Sequence, residues 1–321
     1  VIEMNILDSF PRTPLFKVSD VPPGRTLWVK NESACPTGTF KDRLGWALAR
    51  QSARAPVADL LITCITLGNT LRSVGYFLNN SLASSIKPQI LGLFPLRFAQ
   101  RVIGPDTRGR TCRGADVIAA CENEGTLTAV IDLESGFLDE KSIERLARSL
   151  ALPFLHHRDI SYGIGEQAYK QILEEALEDL RTPPAAVLVP VGAGVLFDEC
   201  VGLIESRGLA TTVIGVSVTE SHSVADKIYG YYSPYFEQLS RSRLSQHARH
   251  PRHPVLSVTD EEILQALEWA SRREINAEPS AVAALVPYLN NYTGLPPGDV
   301  LWINTGNGIA YEHSTGGAGD G

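Results

Sequence analysis

The sequence has five cysteines, Cys35, Cys64, Cys112, Cys121 and Cys200, and none of them forms a CxxC pair. An odd, scattered set of thiols excludes a disulfide framework and a zinc site of the usual spacing, and it fits small buried residues in a reducing compartment. No histidine stands close to Cys35 in sequence, so a cysteine nucleophile would lack its base. No long basic run offsets the net charge of -7, which favours solubility and argues against a nucleic-acid partner. The densest basic stretch, Arg97 to Arg113, is broken by Gly, Pro and Asp and reads as a solvated loop. No apolar run reaches membrane-spanning length and no signal-peptide pattern stands in the chain. A cytoplasmic protein without a membrane partner is expected. Internal repeats are also missing.

What is present is ordinary globular composition, 44% apolar and 20% charged. At 321 residues the chain exceeds the size at which one core usually stops growing, so two lobes are expected. After an irregular start with turn chemistry at Arg12–Leu15 and Val21–Gly24, strand-like and helical patterns alternate. Strands are predicted at 27–30, 59–66, 89–94, 127–131, 152–156, 185–191, 212–218 and 300–304. Helices are predicted at 41–54, 71–80, 139–150 and 163–180, after the turn at 192–195, and from 259 and 279. In the fifth strand, His156 and His157 read as core or interface residues before catalytic ones. The helix 163–180 carries Ile164, Ala168, Ile172, Ala176 and Leu180 on one stripe. Thr259-Asp260-Glu261-Glu262 is a capping box, and Pro279 suits a first helical turn. Residues 221–253 read as a surface loop, and the Gly-rich 313–321 as a disordered tail.

This pattern predicts an α/β protein with two open, mostly parallel twisted sheets flanked by helices, its ligand cleft between two lobes. Residues 1–58 and 151–312 would form the larger lobe and 59–150 a smaller, mobile one.

Four polar, glycine-bearing turns each follow a predicted strand, at Lys41, Asn69, Gly192 and Thr305. In open α/β sheets ligands bind beyond the carboxyl ends of the strands, so several of these turns can line one cleft. Lys41 falls in the first turn of a helix, among backbone N–H groups that disfavour its charged form. With partial desolvation it becomes a nucleophilic amine. Gly192-Ala193-Gly194 offers backbone N–H groups at a helix N-terminus, the physics of a phosphate cradle. A dinucleotide fingerprint would need a third glycine where Phe197 stands. A tight strand-to-helix turn explains the pair of glycines equally well.

Pro36-Thr37-Gly38-Thr39-Phe40-Lys41-Asp42-Arg43 resembles the Schiff-base lysine motif of pyridoxal-phosphate enzymes of the tryptophan synthase β-subunit type, which include threonine synthase, serine/threonine dehydratase and O-acetylserine sulfhydrylase. Leu67-Gly68-Asn69-Thr70 is similar to their asparagine loop, and Pro190–Leu196 to their phosphate loop. Glu278-Pro279-Ser280-Ala281 and Asn304–Gly308 match two late signatures in the expected order, so the resemblance runs from Arg12 to about Ile309. It implies pyridoxal 5'-phosphate as cofactor and Lys41 as the catalytic and cofactor-bearing residue. Asn69 would bond the phenolic oxygen. Gly192, Ala193, Gly194, Val195 and Leu196 would bind the phosphate, and Thr305 would face the ring nitrogen. A hydroxyl there leaves that nitrogen largely unprotonated, which suits elimination and replacement. Thr66, Leu67, Gly68 and Thr70 would hold an amino-acid substrate, in a homodimer. No metal is implied.

Three departures stand out. Leu67 replaces a serine that helps hold the substrate carboxylate, Leu71 replaces a small residue, and Val195 replaces a glycine that only a negative φ would excuse. An atypical substrate is therefore expected, with Thr66, Thr70 or Arg72 supplying the missing contacts. Phe40 and the two late signatures look more like threonine synthase than the sulfhydrylases. The function expected is β- or γ-elimination or replacement on an amino acid. Threonine synthase proper, a catalytically silent cofactor-binding relative and a nucleotide-dependent oxidoreductase are the alternatives.

Overall fold

The fold is described from a computed structural model, for residues 9–19, 25–66, 68–83, 87–95, 117–123, 126–131, 140–160, 166–232 and 251–307. Leu67, the basic stretch 97–113, residues 233–250 of the expected loop and the tail 313–321 lie outside the described residues.

The chain divides into two compact units, one holding Leu44–Ser161 and the other Pro11–Arg43 with Tyr162–Asn307. The second unit is built on a six-stranded sheet. Its strands are β1 (Leu15–Lys17), β2 (Leu27–Asn31), β8 (Ala186–Pro190), β9 (Thr212–Ser217), β10 (Val255–Ser257) and β11 (Val300–Asn304), in the order β1-β2-β11-β8-β9-β10. All neighbours are parallel except β1 and β2. The five residues of β8 and the five of β11 are all buried, as a parallel strand covered on both faces requires. Leu27, Val29, Leu188, Ile214 and Trp302 anchor the core, with Ile263, Ala266 and Ala270 packed against it.

The first unit carries a five-stranded sheet of β3 (Leu60–Ile65), β4 (Gln89–Pro95), β5 (Val117–Asn123), β6 (Thr126–Ile131) and β7 (His156–Asp159), ordered β5-β6-β4-β3-β7. Only β5 is antiparallel, to β6. Leu61, Leu91, Leu93, Ala129 and Leu146 form its core. Two mostly parallel sheets with flanking helices are thus present, as expected.

The helices are α1 (Asp42–Arg54), α2 (Asn69–Ser81), α3 (Glu140–Ser149), α4 (Glu166–Asp179), α5 (Val195–Ser206), α6 (Asp260–Ser271), α7 (Pro279–Val282) and α8 (Val286–Leu289). The capping box is in place: Thr259 Oγ1 accepts from Glu262 N–H, and the Glu262 carboxylate accepts from Thr259 N–H. Three expectations are corrected. Residues 152–156 are not the strand; β7 begins at His156, where it can pair with Leu60–Thr63 of β3. The helix expected from residue 279 breaks into α7, a 3₁₀ turn and α8, the last opening with Pro287 in its first turn, where a proline fits. The expected loop 221–253 contains a 3₁₀ segment, Asp226–Tyr232, and is followed by the unforeseen edge strand β10, only three residues long.

Candidate active site

β2, β11 and β8 are consecutive neighbours in the six-stranded sheet and all parallel, so their carboxyl ends emerge side by side. Out of these ends come the turns that carry Lys41, Thr305 and Gly192. The sequence-predicted residues of this unit are therefore gathered at one edge.

The lysine turn is stitched to the Thr305 turn by backbone. Phe40 N–H donates to Thr305 C=O at 2.9 Å and Asn307 N–H to Gly38 C=O at 3.1 Å, the two bonds that pair Thr39 with Gly306. Gly38 has φ 79°, and a Cβ there would lie 2.5 Å from the Asn307 side chain. Only glycine fits. Gly306 C=O in turn accepts from Glu278 N–H at 2.8 Å. Thr305 is buried at 4% exposure. Behind it Asn304 donates to Asn31 at 2.9 Å and to Asn276 C=O at 2.8 Å, tying β11 to β2.

Buried charges fix the start of α1. The Asp42 carboxylate accepts from Thr37 N–H (2.6 Å) and Thr37 Oγ1 (2.5 Å). Arg43, fully buried, donates to Glu32 at 2.7 and 3.0 Å and to Glu175 at 2.8 and 2.9 Å. Lys30 Nζ donates to Glu175 at 2.6 Å and to Thr13 C=O at 2.8 Å. Burial pushes the Glu175 carboxyl up, but Arg43 and Lys30 outweigh it and hold the group below the ordinary carboxylate range. Two lysines eleven residues apart thus have different fates. Lys30 is locked in an ion pair, whereas Lys41, half-buried, lays its Nζ over two aromatic faces, 4.6 Å from the Phe40 centroid and 5.0 Å from that of Tyr169. Burial, with the Glu32 and Asp42 charges, pushes the Cys35 thiol far above its ordinary range, so it has no nucleophilic form to offer.

The Gly192 turn leads from β8 into α5. Gly194 is the N-cap, with φ 85° and no side-chain cap, and the first helical bond runs from Asp198 N–H to Gly194 C=O at 2.9 Å. The amides before Asp198 have no acceptor within the helix and point past its positive end. Val195 is the first helical residue, buried, and absent from the non-glycine positions of positive φ. The β-branched departure is accommodated because Gly194 takes the left-handed conformation. A Cβ on Gly192 would meet Lys227 C=O at 2.7 Å, and Lys227 Nζ is paired with the Glu278 carboxylate. The ion pair joins the Gly192 turn to the loop that Glu278 N–H shares with Gly306. These turns fit pyridoxal phosphate: an uncapped helix end for a dianion, a lysine at a neighbouring turn, and a buried hydroxyl between them.

In the other unit, β3 ends just before Thr66, whose Oγ1 accepts from Gly68 N–H at 3.0 Å. Gly68 has φ 121° and caps α2, which places Asn69 and Thr70, both half-buried, in its first turn. Leu71 was expected to add bulk beside the substrate carboxylate. It is buried against β4, so close that a Cβ on Gly92 would meet its Cδ2 at 2.7 Å. Arg72 is exposed. His157 bonds Thr63 Oγ1 at 2.9 Å and stacks on Phe154, a structural position.

Sequence reading missed Tyr169 and the Arg43–Glu32–Glu175–Lys30 cluster. Both Tyr169 and Glu175 adjoin the apolar stripe of α4, as neighbours of Ala168, Ile172 and Ala176, and that placement is the signal that could have found them. A groove lined by Thr182, Pro184, Thr211 and Asp299 lies at the opposite, amino-terminal strand ends and holds none of the expected residues. Among the described residues no helix is long and apolar enough to cross a membrane.

Comparison with known proteins agrees with this geometry. A family model described as "Pyridoxal-phosphate dependent enzyme" matches residues 111–306, well over half of the chain. The span includes the Gly192 and Thr305 turns and starts after Lys41 and Asn69. Among curated proteins none matches the chain. Solved structures of similar fold include O-ureido-L-serine synthase, at 15% identity and TM-score 0.67, covering 99% of this chain and 96% of that one. An O-acetylserine dependent cystathionine beta-synthase from Helicobacter pylori is similar at 18% identity and TM-score 0.67, with coverage of 97% and 98%. A threonine deaminase from T.th. gives 18% identity, TM-score 0.64 and 94% coverage of each chain.

Proposed function

This chain belongs to the pyridoxal-phosphate dependent enzymes, and we propose that it catalyses β- or γ-elimination or replacement on an amino acid, in the manner of threonine synthase or cysteine synthase. The observation that supports this most is the emergence of the Lys41, Thr305 and Gly192 turns from three adjacent parallel strands. Bound pyridoxal phosphate supplies an electron sink for the pair left when the bond from the substrate's Cα to its hydrogen breaks.

The roles follow from the groups. Lys41 would hold the cofactor through Nζ and, once released, take the Cα proton as general base. The amides of Gly192, Ala193, Gly194, Val195 and Leu196 would bind its phosphate. Thr305 would face the ring nitrogen with a hydroxyl, and Asn69 would donate to the phenolic oxygen. Thr66, Leu67, Gly68 and Thr70 would receive the substrate carboxylate. A cytoplasmic homodimer completes this reading.

Visible absorption tests it. The purified protein is expected to be yellow and to bleach with borohydride, which links cofactor to the Lys41 peptide. Lys41→Ala loses the colour-bearing link and lowers turnover by about 10³-fold, within the range for a lost general base. A colourless protein that does not take up pyridoxal phosphate overturns the proposal. The missing serine is tested separately. Leu67→Ser is expected to raise kcat/KM toward plain β- or γ-substituted amino acids, and no gain with any of them would exclude an atypical carboxylate site.

A further inference from the structure

Tyr169 is fully buried on α4, its ring 4.8 Å from that of Phe40, and among the described residues its hydroxyl has no hydrogen-bond partner. Burial pushes the phenol far above its ordinary range, so it stays protonated and cannot take a proton from Lys41. What the ring does offer is a face. Lys41 Nζ stands 5.0 Å from its centroid and 4.6 Å from that of Phe40. Aromatic faces attract an ammonium by about 0.5–2 kcal/mol, more when water is excluded. Of the charges beside it in the chain and on α4, Asp42 accepts from Thr37, Arg43 donates to Glu32 and Glu175, and Lys170 is paired with Glu174.

We infer that Tyr169 is a positioning residue for Lys41, whose ring, with that of Phe40, forms a resting cradle that stabilises the ammonium created when Lys41 takes the substrate's Cα proton. This rests on the function proposed above. In that step the bond from Cα to hydrogen breaks, a bond from Nζ to hydrogen forms, and the electron pair stays on the substrate side. The cradle acts on the product of the transfer, so it lowers the barrier without touching substrate. It also opposes the helix-end effect expected from sequence, which favours the neutral amine.

The test reads Lys41 directly, in cofactor-free full-length protein, by the rate at which an amine-reactive reagent labels its peptide across a pH series. Removing the ring in Tyr169→Leu disfavours the ammonium, so labelling at neutral pH should rise by about 2- to 30-fold. Tyr169→Phe keeps the face and should label like the parent, and it should melt no lower, since only an unbonded hydroxyl is lost. If Tyr169→Leu does not fold, difluorophenylalanine at position 169 keeps the shape, weakens the face, and should raise labelling in the same direction. In the holoenzyme, Tyr169→Leu should enlarge the isotope effect of a Cα-deuterated substrate. Unchanged labelling in both ring variants, or an equal rise in Tyr169→Phe, overturns the inference. Because labelling needs neither cofactor nor substrate, that failure is distinct from a failure of the proposed function.

Discussion

The turn at Lys41 and the turn at Asn69 both follow a strand one place in from a sheet edge, β2 and β3, yet they are held by different forces. The lysine turn is fixed by directional bonds: Thr37 to Asp42, Arg43 to two carboxylates, and two backbone bonds to the Thr305 turn. At the asparagine turn, close packing stands out among the described contacts. Leu71 sits on Gly92, and a Cβ on Gly45 would meet Ser73 C=O at 2.5 Å, while a neutral bond joins Thr66 to Gly68. Charge-assisted bonds hold a side chain in one orientation, as the covalent role proposed for Lys41 needs. Packing specifies volume and tolerates exchange at constant volume.

Placing one new residue in both turns breaks this comparison if it is wrong. Arg43→Met leaves the buried Glu32 without its cation and the half-buried Glu175 with Lys30 alone, and it is expected to cost about 3–5 kcal/mol. Leu71→Met keeps volume and should cost less than about 1.5 kcal/mol. Urea unfolding of the two variants measures the difference. Equal losses would mean that the lysine turn is held by packing too.

Acid sharpens the same contrast. The folded state holds the Glu175 carboxyl below its ordinary value of 4.5, so the unfolded chain binds more protons there as pH falls. The contribution of this group is complete above its unfolded value and is lost as pH drops through the folded one. Between about pH 6 and about pH 3 the parent should therefore lose stability more steeply than Glu175→Gln, with the gap between them closing toward the acid end. A parallel decline would remove Glu175 from the account. Leu71→Met alters no titratable group, so in that background the acid slope should stay that of the parent.

Much of the first turn was legible because its devices are local. Glycine at 38, proline at 36 and a strand-like run ending at Lys30 announce a turn, and the repeated strand–helix rhythm announces parallel sheets whose carboxyl ends converge. Long-range partners were not legible. Glu175 stands 132 positions from Arg43, and nothing in either segment names the other. Tyr169 lies beside an apolar stripe, where an aromatic reads as core until its neighbour is known to be Lys41. Leu71 was read as crowding a site because its place in the motif was known and the facing residue, Gly92, was not. β10 escaped because three residues carry no periodicity. Val195 stood out as a departure because sequence does not reveal its φ; the left-handed position falls on Gly194.

The smallest expected difference uses the threonine that each turn contains. At Thr66 the hydroxyl accepts from Gly68 N–H, a neutral bond beside a half-buried glycine where water can take its place. Thr66→Val should cost about 0.5–1.5 kcal/mol. At Thr37 the hydroxyl donates to the buried Asp42 carboxylate, which has no water to turn to. Thr37→Val should cost about 1.5–3 kcal/mol, the range for bonds to charged groups. It should also loosen the start of α1, which slows borohydride-sensitive uptake of pyridoxal phosphate, whereas Thr66→Val should leave uptake by Lys41 unchanged. Melting and uptake measured on the same two variants separate stability from orientation. If Thr37→Val lowers melting without slowing uptake, the bonds around the lysine turn hold the fold and do not aim the amine.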